Sequence, residues 1–488
     1  MIRARTCITR RHRPGLLLGL ILCLLATPAA SATLNFTVSA SEPVLVGSVP
    51  RIAIDVGGVT RYATYAAGSG TTALAFGYQV LAGDFDMNGI TLSSPLELNG
   101  GSITDLAGNP VSPLSFTLPN TSSLKVQTYT AAFATSPITN ANANAIGITI
   151  AKAPAGASFT YTITSSGGVG TVSGSGTISG ASHTVSSVDV SALPAGALTL
   201  SVTVSTPAGG TGAAKTATTN PTFTGVLDSQ SAAVAFSVRR LRAGYTGALL
   251  RVRRSSDSAT QDIGATVGGN LDATALASFC GSASCFVSTW YDQSGNGRDA
   301  AQSTPGFQPR LVTSGVTELL GSRPAVRFDL SLNLVAPNAL SRSDEFTASM
   351  TSVERVRAAS YFAWGLNKTS APTARVLAYI PQYDGYLYFD VAGFTVPNRI
   401  FKLWSVPIGT PAVVTFQNSA AAGTRGVYVN GSLFLSGNGY ADASDRLALG
   451  EGYQGHFGEF ILFPSSIASA NRLAVERNQG AYFGITVP

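Results

Sequence analysis

The chain is dominated by short segments in which apolar and polar residues alternate, and long helical periodicity is nearly absent. Residues 33–38 (TLNFTV), 51–56 (RIAIDV) and 74–80 (LAFGYQV) follow this pattern. A period of two sends successive side chains to opposite faces, which is typical of strands that bury one face. Glycine, proline and asparagine punctuate the segments, and only 11% of the residues are charged. The sequence therefore predicts an all-β protein built from β-sandwiches.

The first 32 residues have the features of a secretory leader. An apolar run over residues 16–26 precedes a small-residue cleavage site at residues 30–32. The run follows a basic start that contains Arg3, Arg5, Arg10, Arg11 and Arg13. Such a run is shorter than the roughly 20 residues that span a bilayer. Cys23 follows Leu22, which is not a small residue, and this argues against a lipoprotein anchor. We predict a signal peptide over residues 1–32 and a protein that is secreted or at the cell surface, with no stable membrane span.

The charge balance offers no support for a nucleic-acid partner. Five of the 31 Lys and Arg residues lie in the leader, which leaves 26 against 25 Asp and Glu residues. A local basic cluster remains in the chain, at Arg239, Arg240, Arg242, Arg251, Arg253 and Arg254. Because no nucleic-acid motif accompanies it, we interpret the cluster as a solvated strand face and predict no nucleic-acid binding.

The remaining 456 of the 488 residues are too many for one ordinary domain. We predict one β-sandwich over residues 33–128 and a second over residues 129–218, followed by a linker at residues 219–225. In the second, the segments at residues 158–163 and 170–178 are rich in Thr and Ser. A turn at residues 194–196 precedes Leu198, Leu200 and Val202, which share one strand face.

Residues 226–488 differ from the preceding part of the chain in composition, because they contain all three tryptophans. The segment at residues 427–434 predicts a hairpin whose Asn430-Gly431 turn suits type I′ geometry. A buried strand is predicted at residues 455–463. The helix predicted at residues 466–482 is the one clear helix of the chain.

Two cysteines outside the leader lie at the start of the segment from Phe279 to Gln302. Cys280 and Cys285 are separated by four residues, and export favours a disulfide between them. Closing so short a loop contributes about 2 kcal/mol in the chain-entropy model. The alternative is a free thiol pair; a metal site would need a nearby His or a third Cys.

Four ordered motifs in this region carry a family resemblance. They are residues 241–247 (LRAGYTG), 252–257 (VRRSSD), 279–285 (FCGSASC) and 291–297 (YDQSGNG). The region resembles the catalytic domain of α-L-arabinofuranosidases of glycoside hydrolase family 54. The whole C-terminal region resembles the concanavalin-A-like, laminin-G-like jelly roll, and the two preceding sandwiches resemble bacterial immunoglobulin-like repeats. The resemblance implies two immunoglobulin-like sandwiches, then a jelly-roll sandwich with one C-terminal helix.

The resemblance also implies a pair of catalytic carboxylates, which this sequence does not match. A retaining glycosidase needs a nucleophile and an acid about 5 Å apart. In the family the nucleophile is a Glu, and residues 378–388, the corresponding stretch here, contain none. The family's general acid is an Asp, and the corresponding residues 449–455 contain no Asp. The family's pair of adjacent Cys residues is also replaced, in residues 359–365. Glu451, Glu459 and Asp384 are the candidates that remain, although Glu459 lies in a strand where a structural role is the stronger interpretation.

Aromatic side chains of the same region are candidates for sugar binding, because aromatic faces stack on sugar rings. The candidates are Trp364, Tyr386, Tyr388, Trp404 and Tyr453. The alternative is that they are ordinary core or rim aromatics.

Asp84, Asp86 and Asn88 resemble the start of a calcium loop. The twelfth position is Pro95 where the loop needs Glu, so an Asx-rich turn is the stronger interpretation and calcium is the one possible cofactor.

Three functions remain open at this stage. The first is an exported protein that binds polysaccharide or cell-surface glycan through a lectin-like sandwich, in recognition or adhesion. The second is an α-L-arabinofuranosidase whose carboxylates have moved, with Glu451 and either Asp384 or Glu459 as the pair. The third is a structural surface protein in which the immunoglobulin-like units are the functional part.

Overall fold

The computed structural model describes residues 20–22, 32–340, 343–357, 361–368 and 371–488. Strands dominate it, and the predicted all-β class is confirmed. Apart from residues 20–22 and Ala32, the predicted leader lies outside the described residues. No helix within these ranges has the length and apolar character needed to cross a membrane.

The N-terminal unit is built on one seven-stranded sheet and a two-stranded ribbon. Its predicted strands are found: residues 51–56 form a strand with those bounds, and the other two segments lie in longer strands. The alternating residues Ile52, Ile54 and Val56 are buried, as the period of two requires. The strands are β1 (Leu20–Leu22), β2 (Thr33–Gly47), β3 (Arg51–Val56), β4 (Val59–Ala67), β5 (Thr71–Gln79), β6 (Phe85–Asp86), β7 (Thr91–Leu92), β8 (Ser102–Asp105) and β9 (Val126–Gln127).

The middle unit packs a three-stranded sheet (β10, β11, β14) and a five-stranded sheet (β12, β13, β15–β17) around one apolar core. The predicted face of Leu198, Leu200 and Val202 is fully buried in that core. The strands are β10 (Thr130–Phe133), β11 (Ile146–Ala151), β12 (Ser158–Ser165), β13 (Thr171–Thr177), β14 (Ser182–Val188), β15 (Leu198–Thr206), β16 (Gly210–Thr211) and β17 (Lys215–Thr219).

The C-terminal unit is a closed antiparallel sheet of nineteen strands, with a separate hairpin formed by β25 and β26. The first strands are β18 (Val234–Ser237), β19 (Leu250–Arg254), β20 (Thr260–Ile263), β21 (Cys285–Trp290), β22 (Ala300–Ala301), β23 (Arg310–Thr313), β24 (Val316–Thr317), β25 (Leu319–Leu320), β26 (Arg323–Pro324), β27 (Val326–Asp329) and β28 (Leu334–Ala336). The remaining strands are β29 (Glu345–Glu354), β30 (Phe362–Lys368), β31 (Ala371–Tyr379), β32 (Tyr386–Val391), β33 (Arg399–Leu403), β34 (Ala412–Ser419), β35 (Thr424–Val429), β36 (Ser432–Gly437), β37 (Arg446–Leu449) and β38 (Gln454–Phe463).

Strand β38 is the central strand of this sheet, because it pairs with β18, β27 and β29. Its predicted burial is found along nearly its whole length. The predicted hairpin is also found: β35 and β36 are joined by Asn430 and Gly431, both with positive φ, as a type I′ turn requires.

The structure describes two α-helices, where the sequence predicted one. Helix α1 (Ala273–Cys280) was not predicted. Asp272 caps its first turn by accepting a hydrogen bond from the Ala275 amide, and the helix ends at Gly281. Helix α2 (Ser469–Phe483) falls within one to three residues of the predicted bounds. Its buried face differs from a simple apolar stripe, since it contains an internal ion pair between Arg472 and Glu476.

Candidate functional site

The segment that carries the family resemblance has a structural role in this fold. The predicted disulfide between Cys280 and Cys285 is confirmed, and it joins the end of α1 to the start of β21. In the following turn, the buried Asp292 carboxylate accepts hydrogen bonds from the amides of Ala235, Ser294 and Arg298. These contacts tie the turn to β18, so the segment builds the scaffold.

Glu459 is a buried structural carboxylate. Its side chain is 0% exposed and forms an ion pair with Arg239, whose Nε lies 3.0 Å from Oε2. Ser237 Oγ donates a second hydrogen bond to the same oxygen at 2.8 Å. These contacts favour the structural interpretation of Glu459 over the catalytic one, because both oxygens are hydrogen-bonded and solvent does not reach them.

Glu451 lies at the tip of an exposed turn between β37 and β38. Both neighbouring glycines have positive φ, and a Cβ at Gly450 would lie 1.9 Å from the ring of Phe328. Only glycine fits there, since the turn lies directly on an aromatic ring. The carbonyl of Gly452 accepts a hydrogen bond from the Tyr361 amide at 2.8 Å, which fixes the turn against the start of β30.

Asp384 lies in the exposed turn between β31 and β32. Its carboxylate accepts hydrogen bonds from the Tyr386 amide at 3.0 Å and from the Tyr388 hydroxyl at 2.6 Å. Tyr383, its neighbour, has its ring 6.0 Å from the ring of Tyr361. Tyr361 thus contacts both turns, and the structure brings the turns that carry Asp384 and Glu451 to the same edge of the sheet.

An aromatic surface lies beside these turns on β32 and β33. Tyr388 faces Phe401 across the strand pair, with ring centroids 5.6 Å apart, and Tyr386 lies 5.9 Å from the same Phe401 ring. Arg399 lies over the Tyr388 ring at 4.6 Å and pairs with the buried Asp390. We call Tyr386, Tyr388 and Phe401 the aromatic surface.

The Tyr388 hydroxyl is a fixed hydrogen-bond donor at neutral pH. Burial and the hydrogen bond to Asp384 raise the pKa of Tyr388 to about 12, so the phenol keeps its proton.

Phe401 completes the aromatic surface, but it was not among the sugar-binding candidates predicted from the sequence. The alternation of Arg399, Phe401 and Leu403 on one strand face is the signal that indicates it.

Three predicted sugar-binding aromatics belong to the core. Trp364 is 0% exposed, and its ring packs within 6.1 Å of the rings of Phe346, Phe416 and Phe460. Tyr453 is also 0% exposed and Trp404 only 7%. Because a buried ring has no free face for a ligand, these positions favour the alternative that the three residues are core aromatics. Tyr386 and Tyr388 remain predictions for sugar binding.

The candidate calcium residues hydrogen-bond to protein groups, both in their own loop and in other segments of the chain. The buried Asp84 carboxylate pairs with Arg61 and accepts the Leu81 amide. Asp86 accepts the amides of Gly57, Asn88 and Gly89. Asn88 donates through its side chain to the Ala208 carbonyl. Across the described part of the chain, no group of three or more His, Cys, Asp or Glu side chains could hold a metal ion.

Comparison with known proteins places the resemblance in the C-terminal unit. Residues 228–322 match the family model described as "Alpha-L-arabinofuranosidase B, catalytic". The alpha-L-arabinofuranosidase B of Aspergillus kawachii is 32% identical over 135 residues, which are 26% of this chain and 26% of that protein. A probable alpha-L-arabinofuranosidase B of Aspergillus flavus is 44% identical over 71 residues, 14% of each chain. The chain thus spans about a quarter or less of the length of these curated relatives.

Among solved structures, a GH54 arabinofuranosidase soaked with a cyclic sulfate inhibitor aligns at 20% identity and a TM-score of 0.39. The alignment covers 51% of this chain and 62% of that one. An arabinofuranosidase complexed with arabinofuranosyl-α-1,2-xylobiose aligns with the same values. The resemblance of the C-terminal region to the arabinofuranosidase B catalytic domain is confirmed by the family model and the relatives. The immunoglobulin-like and concanavalin-A-like assignments stay predictions.

Proposed function

We propose that the C-terminal unit acts on arabinose-containing polysaccharide as a glycoside hydrolase of the arabinofuranosidase type. The observation that supports the proposal is a pair of exposed carboxylates, Asp384 and Glu451, on two turns that both contact Tyr361. This pair lies in a chain that matches the catalytic family model over residues 228–322. The proposed site is outside the cell, since the predicted leader would export the chain. The first two units would then act as immunoglobulin-like spacers.

Asp384 and Glu451 are assigned complementary roles. Two hydrogen bonds orient the Asp384 carboxylate, as a nucleophile or base requires. Glu451 is exposed at a glycine-flanked turn, where it can give a proton to a leaving-group oxygen. A carboxyl separation of about 5 Å would give retention and one of about 6.5–9.5 Å inversion, so the anomer of the first product reports the working distance.

The test is release of nitrophenol from an aryl α-L-arabinofuranoside by the mature chain. Glu451→Gln and Asp384→Asn should each lower kcat by about 10²–10⁴-fold, the usual contribution of general acid–base catalysis. Glu42→Gln, at an exposed carboxylate of the N-terminal unit, is the matched control and should keep full activity. Full activity in both variants would overturn the assignment, and an inactive wild-type chain would overturn hydrolysis itself.

A second candidate is binding of the same polysaccharide without hydrolysis. The exposed aromatic surface favours it, because Tyr386 and Phe401 present partly open rings, 36% and 48% exposed. Affinity electrophoresis in arabinan gels separates the two functions. If the gel retards the wild-type chain but not the Phe401→Ala variant, and the wild type releases no nitrophenol, the result selects the binding function.

A further inference from the structure

The middle and C-terminal units meet through a short backbone ladder, and a groove runs beside it. The amide of Ala195 donates to the Ala265 carbonyl at 2.9 Å, and the amide of Val267 donates to the Leu193 carbonyl at 2.7 Å. Gly268 adds a third bond, to the Ser191 carbonyl. Because these bonds join backbone to backbone, they hold the two walls of the groove at a set distance.

The groove consists of two hollows that share Ala195, Arg240 and Thr246. The larger has a volume of about 480 Å³ and the smaller about 300 Å³. Ligand pockets typically enclose about 300–1,000 Å³, so either hollow takes a small molecule and the pair takes an extended one. The smaller hollow is bounded by residues 220–223, the segment predicted as the linker.

The floor of the groove carries an immobilised guanidinium. Arg240 donates through Nε to the Arg242 carbonyl at 3.1 Å and through Nη2 to the Ala243 carbonyl. The same group lies 4.6 Å from the centre of the Phe223 ring. These contacts hold Arg240 in one orientation where both hollows meet, so a ligand would meet a donor that is already ordered.

The lining suits a neutral polyhydroxylated ligand better than an anion. Two carboxylates, those of Asp262 and Asp272, line the same groove as the single guanidinium of Arg240. Asp262 pairs with Arg251 and Asp272 caps helix α1. The lining therefore has no excess of positive charge to attract an anion. Exposed hydroxyl and amide groups on Thr246, Gln261 and Thr274 supply hydrogen-bond partners for sugar hydroxyls.

Apolar groups complete the lining. Val169, 91% exposed at the rim, offers surface for sugar C–H groups. The turn that carries Val169 depends on Gly167, where a Cβ would lie 2.0 Å from the Ala195 carbonyl oxygen. This close approach brings the rim over the groove.

We propose that this interdomain groove is a second saccharide-binding site, which takes a neutral oligosaccharide chain and couples the middle unit to the C-terminal unit. We take arabinose-containing chains as the first ligands to test, and this choice rests on the proposed function. The proposal of the groove as a saccharide site does not rest on it. The site uses none of the residues assigned to hydrolysis, so the two proposals fail separately.

The test is hydrogen exchange of the full mature chain with α-1,5-linked arabinopentaose, xylopentaose or trigalacturonate. Either neutral pentaose should protect amides of residues 167–169, 220–223 and 245–248. Protection confined to residues 383–386 and 450–453 would overturn the groove site, as would no protection at all. Stronger protection by trigalacturonate would overturn the neutral ligand class.

Thr246→Trp fills the centre of the groove from an exposed loop position and should weaken pentaose binding by at least about tenfold, measured by calorimetry. Thr410→Trp, at an exposed turn of the same unit, is the matched control and should bind as the wild type does. Nitrophenol release should be the same in both variants and the wild type. Unchanged pentaose affinity in a folded Thr246→Trp chain would contradict the proposal.

Discussion

The buried ion pair between Arg239 and Glu459 provides the sharpest test of the structural reasoning. Arg239→Met removes the two guanidinium bonds to Glu459, at 3.0 and 3.3 Å, and the bond to Asn478 at 2.6 Å. The methionine keeps much of the contact with Tyr482, which Arg239 now covers at 4.6 Å. Glu459 is then left fully buried with Ser237 as its remaining side-chain donor.

Loss of one partner from a buried pair costs about 3–5 kcal/mol, because the other charge remains without compensation. We expect Arg239→Met to lower the free energy of unfolding of the C-terminal unit by that amount. Glu459→Gln should cost less, about 1–3 kcal/mol, since the amide is neutral and Arg239 keeps Asn478 and some solvent contact. The double variant should cost less than the sum of the two single variants.

Tryptophan fluorescence in urea measures this effect in the unit concerned, because Trp290, Trp364 and Trp404 all lie in the C-terminal unit. Arg251→Met is the control: its pair with Asp262 is about half exposed, and such pairs contribute under about 1 kcal/mol. Equal, small losses in Arg239→Met and Arg251→Met would refute the reasoning that burial makes Glu459 structural.

Three further substitutions test a core ring, the disulfide and a buried carboxylate of the C-terminal unit. Trp364→Ala should lower the unfolding free energy of the C-terminal unit by about 3–5 kcal/mol in urea titrations, because it empties a fully buried ring position; near-wild-type stability would contradict its core placement. The double variant Cys280→Ala, Cys285→Ala should lose about 2 kcal/mol in the same titration, and a loss as large as that of Trp364→Ala would show that the chain-entropy model is insufficient here. Burial raises the pKa of Glu318, but hydrogen bonds from His456 and Thr313 with the charge of Arg327 outweigh it and lower that pKa to about 2. The stability that Glu318 contributes is therefore present above about pH 4.5 and lost as the pH falls towards 2, so the difference between wild type and Glu318→Gln should shrink over that range.

Local patterns predicted much of the fold. The strand at residues 51–56 has its predicted bounds because its alternation is complete and a two-glycine turn follows it. The Asn430-Gly431 hairpin was predictable because few residues other than Gly and Asn accept positive φ at both turn positions. Helix α1 was not, since its eight residues are too few for a periodic signal and its cap at Asp272 lies among turn residues.

The candidate site was only partly predictable. Asp384, Glu451 and Tyr386 are exposed and Tyr388 is half-buried, and all four lie at or beside the turns joined through Tyr361. For Trp364 the sequence left sugar binding and a core position open, because residue type indicates a capacity to stack on sugar but does not indicate which strand face the ring occupies. The ring of Trp364 lies on the core face of β30, where it packs against Phe346, Phe416 and Phe460.

The sequence by itself determined the all-β class, the hairpin, the disulfide and the family resemblance carried by the motifs in residues 241–297. Each of these depends on residues close together in the chain, where periodicity, turn chemistry and motif spacing are sufficient. Only the tertiary structure decided which carboxylates meet solvent, which aromatics form the core, and that residues 167–169 and 245–248 line one groove. Such properties depend on strand pairing between residues far apart in the chain, as between Val234 of β18 and Leu462 of β38, which are 228 positions apart. Such pairing sets burial, and burial separates a structural carboxylate from one available for chemistry.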